Sequence, residues 1–226
     1  MKKTIFLVLA ALLCMCAFGC EKEAEQPKLE ALRDKSEFAV YEDGEQILTL
    51  EEIEMTDWAQ FFFASPYSEY HGDDYVGNSY DYRGRDITTK RGIKIGSSME
   101  DVVAAYTGIE FYQAEFDGDE FVYEIRTVEQ VAEAEQRLRE ESGYEGYNDY
   151  QKTVWFHTDT YFLHDGSALS VSAFNERVKE EGWDYYNMQR NMDEYMDAFY
   201  ELRFAVMEGA VTEISLLDEK AAMRID

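Results

Sequence analysis

The sequence predicts an α+β protein: an antiparallel sheet with a few short helices packed mainly on one face, placed after an export signal and a tether. Three observations point there. Apolar residues make up 46% of the chain and aromatic residues 15%, too much for a disordered polymer. Several segments alternate apolar and polar residues and meet across Gly-containing turns, the pattern of β-hairpins. Three further segments carry apolar residues at helical spacing, and each is closed by a glycine.

The N-terminus is the first element to account for. Lys2 and Lys3 precede an apolar run from Ile5 to Phe18, about fourteen residues and too short to cross a bilayer as a lasting anchor. The run ends in Ala17-Phe18-Gly19-Cys20, with a charged chain directly after it. This resembles the lipobox of bacterial lipoproteins. The resemblance implies removal of residues 1–19 as a signal peptide, and diacylation of Cys20 as the new N-terminus. Ala17 and Gly19 would also satisfy an ordinary signal peptidase cutting the same bond and leaving Cys20 as a free thiol, and an uncleaved anchor is a third reading. Cys14 and Cys16 lie inside the apolar run, so a mature chain starting at Cys20 keeps one cysteine and forms no internal disulfide. An exported chain of this kind fits the outer face of a Gram-positive cell membrane.

The formal charge of the chain is −27, and loss of residues 1–19 removes two lysines and deepens it further. Nucleic acid is excluded as a partner, since its phosphates require Lys and Arg for neutralisation. An anionic membrane surface would repel the chain, so acyl groups on Cys20 would hold it there against the charge. The acidity serves solubility.

Residues 20–36 are expected to form the lipidated cysteine and a charged tether, in which Leu29, Ala31 and Leu32 are the main apolar content around Pro27. Folding is expected from Glu37 onward, with residues 37–226 forming one α+β domain or two small lobes. Phe38–Tyr41 and Gln46–Thr49 flank Asp43-Gly44 and predict a hairpin with a type I′ turn. Thr49 and Glu52 are spaced to cap a short helix carrying Leu50, Ile53 and Trp58, although Ile53–Phe63 also reads as extended. Residues 64–86 show no period. They hold Pro66, Gly72, Gly77 and Gly84, with Tyr67, Tyr70, Tyr75, Tyr80 and Tyr82 set among acidic residues, and a loop is expected.

The next segment has the most consistent local signals. Ile93 and Ile95 alternate as a strand, Gly96 allows a turn, and Ser97 with Glu100 is spaced as a capping box. Met99, Val102, Val103 and Tyr106 share a helical face, and Gly108 stands where a helix stop needs a left-handed residue. Gly92-Ile-Lys-Ile-Gly-Ser-Ser-x-Glu-Asp-Val-x-x-Ala-Tyr-x-Gly108 resembles a recurring segment of secreted lipoproteins from Firmicutes. It is similar, more distantly, to the strand–Gly–helix–Gly element of SmpA/OmlA-type outer-membrane-assembly lipoproteins and of the β-lactamase inhibitor protein fold. The resemblance covers about twenty residues and implies a small α+β lipoprotein domain. It transfers no functional residue, because a shared structural element says little about activity.

Downstream, Ile109–Tyr112 and Glu120–Ile125 read as strands around Asp117-Gly118. Thr127 and Gln130 open a helix to about Glu141, with Val128, Val131, Ala134 and Leu138 inward and Gly143 as its stop. A second Tyr-rich loop follows, with Tyr144, Tyr147 and Tyr150. Thr153–Thr158, Tyr161–Leu163 and Ala168–Val171 are expected as strands, and Ser172, Phe174 and Val178 as a short helix ending at Gly182. Phe199–Val206 and Ala210–Leu217, joined across Met207-Glu208-Gly209, predict a closing hairpin.

Catalytic and metal motifs are scarce. Asp73-Asp74 and Asp117-Gly118-Asp119-Glu120 lack the spacing of a calcium loop. His157 and His164 flank Asp159 and Asp165, but their seven-residue separation would place them on opposite faces of a straight strand, which argues against shared zinc ligation. No serine-nucleophile elbow, phosphate loop or His-Glu-x-x-His occurs, so no metal, no cofactor and no catalytic residue is assigned. Tyrosine supplies rigid, amphipathic contact area, and Tyr67, Tyr70, Tyr75, Tyr80 and Tyr82 are the candidate surface for a protein or glycan partner; the competing reading packs these rings over a small core. The expectation is a non-catalytic envelope lipoprotein that binds a partner or acts as an accessory or assembly factor. A secreted inhibitor or immunity-type protein is the second reading, and an enzyme acting on envelope or extracellular glycan the third.

Overall fold

A computed structural model describes residues 28–52, 60–64, 78–79, 85–117, 120–142, 152–184, 186 and 191–222. Along the chain, a 3-10 turn at Lys35–Phe38 leads into β1 (Ala39–Glu42) and β2 (Glu45–Thr49), then a second 3-10 turn at Leu50–Glu52. Next come β3 (Gln60–Ala64), β4 (Asn78–Ser79), β5 (Ile87–Thr88), helix α1 (Met99–Tyr106), β6 (Glu110–Asp117), β7 (Glu120–Thr127) and helix α2 (Val128–Ser142). The remainder is β8 (Thr153–Leu163), β9 (Ala168–Leu169), α3 (Val171–Glu181), a 3-10 turn at Met192–Glu194, β10 (Met196–Met207), β11 (Ala210–Asp218) and the one-turn α4 (Glu219–Ala222).

The long strands β8 and β10 pair antiparallel at the centre of an eight-stranded sheet of order β4-β3-β11-β10-β8-β6-β7, with β9 beside β8. Every pairing in it is antiparallel except that of β3 with the two-residue β4. The β10–β11 turn shows why the closing hairpin is legible: Glu208 and Gly209 have φ of 54° and 77°, the two positive values that a two-residue turn matched to strand twist requires. Asp43 and Gly44 repeat this, at 50° and 80°, between β1 and β2. Those strands and β5 form a separate three-stranded sheet, whose Val40 and Ile87 join the main core.

Because strand side chains alternate, the central strands present two different faces. Phe111, Phe156, Leu202, Phe204, Ile214 and Leu216 face α1 and α2 and pack with Val102, Tyr106, Val128 and Val131. Tyr106 meets Phe204 and Phe111 meets Phe156 edge-on, each at 5.4 Å, while Phe156 and Phe204 stack at 5.5 Å, arrangements favoured by aromatic quadrupoles. On the opposite face α3 covers one end, where Tyr161 lies between Phe174 at 3.8 Å and Phe199 at 4.1 Å. The fold is α+β as expected, with two of the three longer helices among the described residues on one face.

Five local expectations are corrected. The chain is part of the fold before Glu37: Leu32 is fully buried, and Glu30 donates to Gly108 O and accepts from Glu110 N, each at 2.9 Å. Leu29, Ala31 and Leu32 among charges form no clear periodicity, so the tether reading of residues 30–36 fails there. Ile93 and Ile95 are not a strand; their segment is a loop laid against β11, with Gly96 N donating to Val211 O at 2.8 Å and Val211 N to Ser97 O at 2.9 Å. The α1 capping box is Ser98 with Asp101, one residue later than expected, because Ser97 Oγ accepts from Lys94 N in the preceding turn. Thr153–Leu163 is one strand, since Thr158 and Thr160 are buried within it and do not break it. The N-cap of α3 is Ser170, while the Ser172 amide is turned to Glu110 Oε1 at 2.9 Å.

Candidate functional site

The register of β8 and β10 sets Asp159 directly opposite Glu201 and His157 directly opposite Arg203. All four lie on the face turned away from α1 and α2, beyond the end covered by α3. An antiparallel pair with like charges directly opposed is destabilising. Here the carboxylates are also withdrawn from water: the side chains of Asp159 and Glu201 are 13% and 5% exposed.

His157 joins them. Its Nε2 lies 3.7 Å from Asp159 Oδ2 and 3.9 Å from Glu201 Oε2. Tyr112 on β6 stacks on the imidazole at 5.6 Å, and Tyr123 on β7 meets it edge-on at 5.8 Å. Arg203 takes the other oxygen of Glu201, with Nη2 2.7 Å from Oε1. Asp159 Oδ1 is buried and has no hydrogen-bond partner among the described residues. The His157, Asp159 and Glu201 ligand atoms all lie within 4.8 Å of one another, so a single small cation or proton can be shared among them.

The electrostatics follow from burial and crowding. Burial holds His157 below the usual imidazole range, and Arg203 adds to this while Glu201 opposes it. Burial, then repulsion from Glu201 and Glu219, pushes the Asp159 carboxyl well above the usual carboxylate range. Glu219, at the start of α4, is raised to about 7 by burial and then by Glu201. Glu213 on β11 is raised to about 7 by burial, against the pull of Arg203. Arg203 loses to burial but gains more from Glu201, and its guanidinium is held more firmly protonated.

Neighbouring polar groups have structural roles. Buried Glu110 accepts from Ser170 Oγ at 3.1 Å and from the Ser172 amide, placing an anion at the N-terminus of α3. His164, in the turn after β8, is exposed and engaged elsewhere: Nδ1 lies 2.7 Å from Asp197 Oδ1 and Nε2 2.8 Å from Asp193 O. The two histidines therefore have separate partners.

Cys20 and the candidate tyrosines Tyr67, Tyr70, Tyr75, Tyr80 and Tyr82 lie outside the described residues, as do Tyr144, Tyr147 and Tyr150. His157 and Asp159 stand out in the sequence as an alternating pair, whereas Glu201 and Arg203 read only as part of a closing hairpin. The available signal is charge at alternate positions of an otherwise apolar strand, Glu201 and Arg203 among Phe199, Leu202 and Phe204. Only the register tells which strand they oppose.

Comparison with protein-family models, curated proteins and solved structures finds no match for the chain. Among the described residues, no helix is long and apolar enough to cross a membrane.

Proposed function

We propose that this chain is a lipid-anchored protein of the cell envelope, held outside the membrane through Cys20, that binds a partner without catalysing a reaction. The observation that carries the reading is the N-terminal order of Lys2-Lys3, a short apolar run and Gly19-Cys20 followed by charge. The binding half draws support from the sheet face opposite α1 and α2. Tyr123 is 58% exposed and Ile125 48% exposed on β7, next to half-buried Tyr112 and the charged groups of β8 and β10. Tyrosine and arginine in one patch are among the residue types from which recognition surfaces draw their contact energy. With net charge −27, a partner presenting basic groups, or a neutral glycan that stacks on rings, fits this surface better than any polyanion.

The anchor is tested by intact-mass measurement of the mature protein from a membrane fraction. Two acyl chains on an N-terminal Cys20 are expected, and Cys20→Ala should release the chain or leave the precursor uncut. An unmodified N-terminal cysteine in the mature form overturns the reading.

A further inference from the structure

We propose that His157, Asp159 and Glu201 bind one divalent first-row transition ion of the zinc class on the face of the sheet opposite α1 and α2. The site is independent of the lipid anchor and goes beyond the partner-binding reading.

Geometry is the first support. Ligand atoms around a tetrahedral ion with bonds of about 2.0–2.1 Å stand roughly 3.4 Å apart. His157 Nε2 already lies 3.7 Å from Asp159 Oδ2 and 3.9 Å from Glu201 Oε2, so both imidazole–carboxylate separations need to close by only a few tenths of an ångström, and the three ligand atoms all lie within 4.8 Å of one another. A fourth position is left for water or a ligand atom of a partner, as in open three-ligand zinc sites.

The second support is an unresolved cost in the protein alone. Asp159 and Glu201 are buried, adjacent in register and alike in charge. Arg203 is within ion-pair distance of Glu201 Oε1, the oxygen that does not face His157, but among the described residues neither Glu201 Oε1 nor Asp159 Oδ1 has a hydrogen-bond partner. An ion between the carboxylates turns their repulsion into two bonds and gives His157 Nε2 an acceptor for its lone pair.

The surroundings fit the requirements of a metal site. Tyr112 and Tyr123 fix the plane of the imidazole, and Arg203 orients Glu201, the outer support that directly bonded ligands need. One imidazole with two carboxylates and no thiolate selects against soft ions, and the imidazole selects against calcium and magnesium.

The test uses the full-length chain in detergent, stripped with a chelator and titrated with Zn2+ while binding and thermal unfolding are followed. One ion per chain is expected, with a melting temperature raised by several degrees, reversed by excess chelator and not reproduced by Ca2+ or Mg2+. Asp159→Asn carries the test, because it keeps the shape of the side chain. It should bind Zn2+ at least about tenfold more weakly and yet melt higher than wild type in the absence of metal, because a buried repulsion is gone. Glu201→Gln and His157→Ala should also lose the response. His164→Ala and Cys20→Ser should keep it. A wild-type melting temperature unmoved by Zn2+ overturns the proposal. So does equal binding by wild type and Asp159→Asn, or a response that disappears in His164→Ala or Cys20→Ser.

Discussion

The two faces of the central sheet are made by alternate residues of the same strands, yet they obey opposite rules. Toward α1 and α2, β8 and β10 present Phe156, Leu202 and Phe204, all fully buried in the same apolar cluster as Val102 and Tyr106. Toward the other side the same strands present His157, Asp159, Glu201 and Arg203. The first face accounts for stability, since burial of apolar area is the main favourable contribution to folding. The second costs stability, since it buries charges against one another. A protein can carry such a face only because the first is well packed, and a costly arrangement of this kind marks a place where something other than folding is served.

The contrast is broken most severely by putting a charge on the apolar face. Val102 is fully buried on α1. Val102→Asp should lower stability by about 3–5 kcal/mol, the usual consequence of an uncompensated buried charge. Thermal unfolding by circular dichroism checks this, and an unchanged melt would mean that the inward side of α1 is misassigned.

The second face should respond in the other direction. Glu213 is 9% exposed and its carboxyl is pushed up to about 7, chiefly by burial; Arg203 is the charged side chain acting on it. Its unfolded value is near 4.5, so between pH 4.5 and 7 the folded state holds a proton that the unfolded state has lost. Stability contributed by this group is therefore full below about pH 4.5 and falls as pH rises toward about 7. The loss is on the order of 3 kcal/mol, at about 1.4 kcal/mol for each pH unit that separates the folded and unfolded values. Glu213→Gln should reduce the loss in that window, leaving the part that Glu219, also raised to about 7, contributes, and raise stability at pH 8 relative to wild type. Urea titrations of both proteins at pH 5 and pH 8 decide the matter; parallel losses in the two would show that Glu213 is not responsible.

A smaller effect separates local from tertiary control of α1. Ser98 accepts from Asp101 N, and Asp101 Oδ2 accepts from Ser98 N, while Ser97 only closes the turn before it. Ser98→Ala should cost about 1 kcal/mol and Ser97→Ala clearly less. Reversal of that order in denaturant unfolding would return the cap to Ser97, where the spacing of the sequence places it.

These cases show what a single sequence conveys. The hairpin at Asp43-Gly44 is legible because Asp and Gly tolerate the positive φ that both central positions need; at Glu208-Gly209 only the glycine does, and the alternating strands on either side carry the reading. α1 is legible because cap, periodicity and closing glycine agree, although two adjacent serines cannot be told apart without knowing which of them the preceding turn uses. Leu32 is not legible, as a few apolar residues among charges become core only through contacts far along the chain. The charged cluster is half legible. His157 and Asp159 stand together on β8, but Glu201 is 42 positions beyond Asp159, and pairing register is a tertiary property that no local pattern encodes.

The smallest expected change is also on the polar face, at its rim. Tyr123 is 58% exposed, and its ring touches His157 edge-on without being enclosed. Tyr123→Ala should therefore shift stability by no more than about 0.5 kcal/mol, as exposed positions usually do. If this rim receives a partner, the same substitution should weaken binding far more than it weakens folding, because a rigid ring next to a charged centre contributes to an interface what it cannot contribute to the isolated chain. Tyr106, fully buried on the inward side of α1 and hydrogen-bonded to Thr89 Oγ1 at 3.1 Å, is the matched control. Tyr106→Ala should destabilise by about 3–5 kcal/mol, as loss of a large buried ring does, and reduce binding only in proportion to unfolding. Melts and surface binding to envelope extracts, run on both variants, separate the two. A large stability loss at Tyr123 would mean that the polar face is closed over in the folded protein, and that its aromatic rim is core and not contact surface.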